Sequence, residues 1–188
     1  MLRFIVVFMD ECGIQEDLCR EKGRIGKSEI EVTPQTNKPK AQRLYGQTTA
    51  TKHNKVGVIS GYSKLPDKNH YNYISPMVYQ DTCNANTFNA WLEFNFIPDA
   101  MELQRLYPDN YIALILDNVP YHKSTKTKEL CQQNGITLIF QPPYSPDLNP
   151  IEPSWGNLKD EVRNQMYLLI PFMDKLFSAI NRITWSCC

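Results

Sequence analysis

Hydrophobic and polar positions along this chain follow two different periods, and the places where the period changes mark the elements. Residues 3–10 (RFIVVFMD) form an almost unbroken apolar run rich in Val, Ile and Phe, the pattern of a strand buried on both faces. Residues 14–51 are polar, basic and proline-bearing, which predicts one short returning strand near 30–33 and otherwise loop. Two short strands follow at 56–62 (VGVISGY) and 73–79 (YISPMVY), and Pro76 places the second at a sheet edge or a bulge. From 86 to 106 the apolar spacing is helical, with Phe88, Trp91, Leu92 and Phe96 on one face. Pro98 is expected to kink or split that helix. Beyond it the pattern predicts a strand over 111–116, a helix over 124–134 ended by Gly135, and a strand over 137–141. Helices over 149–165 and about 171–183 complete the chain.

Antiparallel strands followed by alternating helix and strand predict an α/β fold, a mixed five-stranded sheet with helices on both faces. If strands 3–10 and 111–116 are parallel neighbours, the residues that close them emerge side by side at strand carboxyl ends, where open α/β sheets bind ligands. Those residues are Asp10 and Asp117. A third carboxylate, Glu152, ends the segment PPYSPDLNPIE (residues 142–152) and opens a predicted helix, with 34 residues between it and Asp117. Asn149, Pro150 and Glu152 match an N-cap, a first-turn proline and a capping-box glutamate.

Three carboxylates on two strand ends and one helix start meet the needs of a two-magnesium phosphodiester site. Magnesium prefers oxygen ligands and keeps several waters, so a few carboxylates and the substrate phosphate suffice. Two such ions activate the attacking oxygen and stabilise the leaving one. Manganese accepts the same ligands. Taken singly, each residue also has a structural explanation: Asp10 as the polar stop of a strand, Asp117 as a turn former, Glu152 as a cap. Their joint placement points to chemistry. His122, five residues after Asp117, either orients water or phosphate near the ions or is a surface turn histidine. Lys123, Lys126 and Lys128 meet phosphate or solvent, and Tyr144 either stacks on a base or packs under its loop.

At 188 residues the chain fits one domain with a sizeable core. Its formal net charge is zero, so bulk charge carries no nucleic-acid signal. Between residues 20 and 55, however, nine Lys/Arg stand against three Glu, which suits a phosphate-contacting surface or a solvated loop. The six cysteines show no CxxC pair and no zinc spacing, and read as free thiols in a reducing compartment. The apolar run 2–9 is too short to span a bilayer and has no cleavage site, so neither a signal peptide nor a membrane partner is expected. A cytoplasmic or nuclear location is the default expectation. Gly26-Lys27-Ser28 imitates the end of a phosphate-binding loop, but Glu21 occupies the position that requires glycine, which excludes that reading.

The blocks FMDECG around Asp10, LILDNVPYHKS around Asp117 and QPPYSPDLNPIEPSWGNLK around Glu152 resemble the catalytic domain of DDE transposases of the mariner superfamily, in its bacterial insertion-sequence branch. The resemblance covers about residues 3–165. It implies a ribonuclease-H-like fold and metal-dependent cleavage at transposon ends. A freed 3′-hydroxyl would then attack target DNA, typically at a TA dinucleotide. It assigns Asp10, Asp117 and Glu152 as ligands of two Mg2+ or Mn2+ ions, and gives Glu11, Asn118, His122, Asn149 and Trp155 supporting roles. Residues 1–165 are the expected catalytic domain and 166–188 a C-terminal helical tail. Family members carry helix-turn-helix domains ahead of the first catalytic strand, and this chain opens at that strand. The expected partners are therefore transposon-end and target DNA, with a second copy or a separate DNA-binding segment. The alternatives are a catalytically silent remnant that pairs with full-length transposase, and a host nuclease of the same fold.

Overall fold

The first strand sets the frame. β1 (Arg3–Gln15) alternates so that Ile5, Val7 and Met9 are buried on one sheet face, and Cys12 and Ile14 on the other. The computed structural model describes residues 2–15, 55–80, 82–143, 145–165 and 167–184. The predicted strand near 30–33, the basic stretch up to residue 54, the Gly26-Lys27-Ser28 segment and Tyr144 lie outside the described residues. β2 (Lys55–Lys64) and β3 (Tyr71–Gln80) extend the sheet antiparallel to β1 on one side. β4 (Asn110–Leu116) and β5 (Ile136–Phe140) extend it in parallel on the other, giving the order β3-β2-β1-β4-β5.

Pro76 meets both expectations at once. β3 is an edge strand, and the register shifts between Ile59↔Met77 and Gly61↔Ile74, so Ser75 and Pro76 bulge opposite Ser60. The extra residue reverses the alternation of β3. Ile74 before it and Met77 and Tyr79 after it consequently all face the same core. Ser75 sits at φ 56, and the bulge is tied down from three directions. The Trp91 indole donates to the Ser75 carbonyl (2.7 Å), the Ser75 hydroxyl donates to Asp99 (2.7 Å), and the Ser60 hydroxyl donates to the Ile74 carbonyl (3.0 Å).

Helices cover both faces, as the pattern predicts. On the first face lie α1 (Ala85–Trp91), a π-helical turn (Leu92–Phe96) and α2 (Ile97–Leu106). Pro98 splits this helix without kinking it out of the core. Proline offers no N–H to the carbonyl four residues back and crowds it, and the wider π turn just before Pro98 relieves that conflict. Phe88, Trp91, Leu92 and Phe96 are all fully buried. α3 (Thr125–Gln133) follows on the same face, capped by the Ser124 hydroxyl accepting from the Thr127 N–H, and Gly135 at φ 65 turns the chain into β5.

α4 (Ile151–Asn164) and α5 (Phe172–Ile183) pack on the second face over Cys12, Ile14, Val56, Val58 and Tyr73. That cover is partial. Phe4, Tyr111 and Ile139 remain exposed and Val6, Phe8 and Ile115 half-buried, so the first half of β1 is not buried on both faces. The second face is closed only from Asp10 onward.

Candidate active site

The sheet register brings the first two carboxylates together. Parallel pairing of β1 with β4 ends at Phe8↔Ile115, and two residues further along each strand stand Asp10 and Asp117. Both point to the second face. α4 lays Ile151, Trp155, Leu158 and Val162 against that face, which brings Glu152 in its first turn to the same place. Asp10, Asp117 and Glu152 thus line one cleft of about 490 Å³, together with Asn118, Gln141 and Asn149. Pro120, Pro142 and Pro143 form part of its wall, where their fixed φ limits backbone freedom.

Each strand-end carboxylate is tied back by hydrogen bonds. The Trp155 indole N–H donates to Asp10 Oδ2 at 2.8 Å. Asp117 Oδ1 accepts from His122 Nδ1 at 2.6 Å and from the Val119 N–H at 3.2 Å. His122 Nε2 lies 3.2 Å from Glu11 Oε1, and the same oxygen accepts from the Tyr121 hydroxyl (3.2 Å) and the Cys83 thiol (3.5 Å). Alternation along β1 sends Glu11 to the face opposite Asp10, so the imidazole bridges from one face of the sheet to the other. The Asn118 amide donates to the Gln141 carbonyl, and the Gln141 N–H bonds the Leu116 carbonyl (2.8 Å), which locks the exits of β4 and β5 together.

The electrostatics separate the two neighbouring carboxyls. Burial pushes Asp10 up to about 7; the nearby Glu152 and Glu11 charges add to the rise, and the Trp155 bond only partly offsets it. Burial would raise Asp117 as well, but the His122 and Val119 hydrogen bonds and the His122 and Lys123 charges outweigh it and hold Asp117 below the usual carboxylate range. Burial opposes charge on His122, yet its bonds to Asp117 and Glu11 and their charges lift it to about 9. Both ring nitrogens face acceptor-only oxygens, which calls for the doubly protonated ring.

Two expectations need correction. His122 is no surface turn histidine: it is fully buried, packed between Phe88 (4.4 Å between ring centres) and Tyr121 (4.6 Å). Nor does Asn149 cap α4 with its side chain. The residue preceding the helix is Pro150, no side-chain cap bond forms, and only the Asn149 backbone carbonyl is used, accepting from the Glu152 N–H at 3.1 Å. The Asn149 side chain turns inward instead, and its Oδ1 is buried without a hydrogen-bond partner. Lys126 pairs with Glu93 (3.1 Å), and Lys123 lies over the Phe140 ring. Tyr121 and Cys83, which hold Glu11, carry no periodicity or spacing that marks them in sequence.

The donors present suit a hard divalent cation. Asp117 takes both of its hydrogen bonds on Oδ1, Asp10 and Glu152 face the same cleft, and the Asn149 oxygen is buried without a donor. As they stand, no three His, Cys, Asp or Glu side chains among the described residues form a group that could hold an ion. The fit lies in donor chemistry rather than in a closed cage.

A β3-β2-β1-β4-β5 mixed sheet flanked by helices, with acidic residues where β1 leaves its parallel pairing and where β4 ends, defines the ribonuclease-H-like class. The Mos1 mariner paired-end complex with Mn superposes with a TM-score of 0.54 at 16% identity, over 95% of this chain and 52% of that one. The Mos1 catalytic domain with Raltegravir and Mg gives 0.51 at 14% identity, over 98% and 86%. At these identities the likeness is one of fold. The chain belongs to the DDE superfamily endonuclease family, whose model matches residues 5–169. The Tcb2 transposase of Caenorhabditis briggsae is 31% identical over 107 residues, 57% of this chain and 34% of that protein. The chain spans about a third to a half of the length of the curated relatives it matches. No helix among the described residues is long and apolar enough to cross a membrane.

Proposed function

We propose that this chain is a transposase catalytic domain that cleaves DNA strands and transfers the freed end, with Asp10, Asp117 and Glu152 as ligands of two divalent ions, Mg2+ or Mn2+. The observation that carries the reading is the convergence of those carboxylates on one cleft from three separate elements. The substrate is DNA: in hydrolysis a water oxygen bonds to phosphorus while the P–O3′ bond breaks, leaving a 3′-hydroxyl and a 5′-phosphate. In strand transfer that hydroxyl attacks a target phosphodiester in the same way. Divalent ions, when bound, supply positive charge to the attacking and leaving oxygens.

The chain's own residues do the rest. Asp10, with its value near 7, is charged in only part of the molecules at neutral pH, and a cation in the cleft favours its ionised form. Trp155 and His122 hold Asp10 and Asp117 in place from behind. The proline-lined wall and the Asn118–Gln141 tie keep the cleft open in one shape. Transposition joins two ends, so a second copy and an end-binding segment belong to the proposed assembly.

The test is nicking of supercoiled plasmid in Mg2+ or Mn2+, with Asp117→Ala as the comparison. Metal-dependent nicking abolished by the substitution supports the reading. Nicking that survives in Asp117→Ala, or none by the folded wild-type chain even with an end-binding segment supplied, overturns it.

A further inference from the structure

We propose that His122 is a positioning residue, anchored by Glu11, that dictates which oxygen of Asp117 faces the cleft. The inference rests on the metal-site reading above and deepens it. His122 does not line the cleft and is fully buried, so it acts through another group and not on substrate. Its Nδ1 and the Val119 N–H both converge on Asp117 Oδ1, at 2.6 and 3.2 Å. With two donors on that oxygen the carboxylate is turned to one side, and Oδ2 alone is left for the cleft.

The ring itself has little freedom. Nε2 is held 3.2 Å from Glu11 Oε1, an oxygen that also receives Tyr121 and Cys83. Phe88 and Tyr121 pack against the ring, with centroids 4.4 and 4.6 Å away. Glu11, His122 and Asp117 therefore form a strut of fixed length through the top of the sheet. A carboxylate held this way offers a single oxygen in a set direction; released, it can rotate and take an ion through both oxygens. Groups behind a metal ligand typically change affinity ten- to a hundredfold when lost.

Two amides separate positioning from hole-filling. The Asn side-chain nitrogen stands near the place of the imidazole Nδ1, and the Gln nitrogen near that of Nε2. His122→Asn keeps the donor to Asp117, whereas His122→Gln keeps only the contact to Glu11. Mn2+ binding to the full chain is read by calorimetry and by the Mn2+ electron-spin signal, with melting curves alongside. The expected result is Mn2+ affinity within about threefold of wild type for His122→Asn, and about ten- to a hundredfold weaker for His122→Gln. Glu11→Asp retains the charge but withdraws the anchor by one methylene, and is expected to weaken binding by several-fold; it decides the matter if the Gln variant does not fold. Equal affinity in both His122 variants, the reverse ordering, or wild-type affinity in Glu11→Asp overturns the strut. If wild type binds no Mn2+, the metal-site reading falls first and the strut with it.

Discussion

Asp10→Asn should stabilise the protein while removing its proposed chemistry, and only above a definable pH. Asp10 is an acid whose folded value, about 7, lies above the ordinary aspartate value of 3.8. The folded state therefore holds its proton more tightly than the unfolded chain between those values, and stability falls as pH rises through that window. The loss is complete above pH 7 and absent below about 4. At 1.36 kcal/mol per pH unit the full gap corresponds to roughly 4 kcal/mol, an upper bound because the carboxyl borders an open cleft. Asparagine keeps an acceptor for the Trp155 indole and cannot ionise. In EDTA, the gain from Asp10→Asn should be largest at pH 8 and fall to about a third of that at pH 5. With roughly 2–4 °C per kcal/mol for a domain of this size, the melting-temperature gain should be larger at pH 8 than at pH 5 by up to about 5–10 °C. Comparing the variant with wild type at each pH cancels the fixed effect of exchanging OH for NH2. Saturating Mg2+ should then raise the wild type towards the variant, by about 2.7 kcal/mol at a hundred times Kd. A gain that is the same at pH 5 and pH 8, or a destabilised variant at pH 8, would refute the electrostatic account.

Trp155→Phe removes the donor that favours the ionised Asp10, so the acid limb of the pH–nicking profile should move up by about one pH unit; an unmoved limb counts against the contact at 2.8 Å. Gly57→Ala places a Cβ 2.1 Å from the Tyr79 ring, and unfolding in urea should show a loss of about 1–3 kcal/mol unless the ring swings out. Tyr73→Phe deletes the buried hydroxyl bond to Ser154 (2.7 Å) that links β3 to α4, and should lower stability by about 1 kcal/mol in the same assay. His122 has the same pH slope as Asp10 over a higher window: its folded value of about 9 lies above 6.5, so its stabilisation is full below pH 6.5 and lost as pH rises through 9. His122→Gln should accordingly narrow its stability deficit between pH 7 and pH 10.

What the sequence made legible was the part governed by period and punctuation. Runs ending in Asp10 and Asp117, the apolar stripe of residues 88–96 and the glycine after α3 follow from local rules, and parallel pairing of β1 with β4 then aligns the two aspartates. What it concealed depends on contacts distant in the chain. A histidine in DNVPYHKS reads equally well as exposed, because the residues that enclose it are Phe88 and Glu11. Asn149 carries a strong capping signal, but Pro150 takes the position before the helix and the Asn149 side-chain oxygen is buried instead. The half-covered second face is not legible in sequence, because an apolar run records hydrophobicity and says nothing of where the helices above it stop.

The spacing of the carboxylates also bears on how the protein folds. Asp10 and Asp117 lie more than a hundred residues apart, and the strands that align them pair in parallel, an arrangement that forms slowly because its loop-closure entropy is spent before contacts reward it. On the ribosome, β1 and β2 can pair long before Glu152 has been made. α4 adds to the burial that lifts Asp10 when it brings Trp155 and Glu152 against it. The electrostatic cost of Asp10 thus falls on the docking of α4, and it favours local opening of that helix over unfolding of the sheet beneath it.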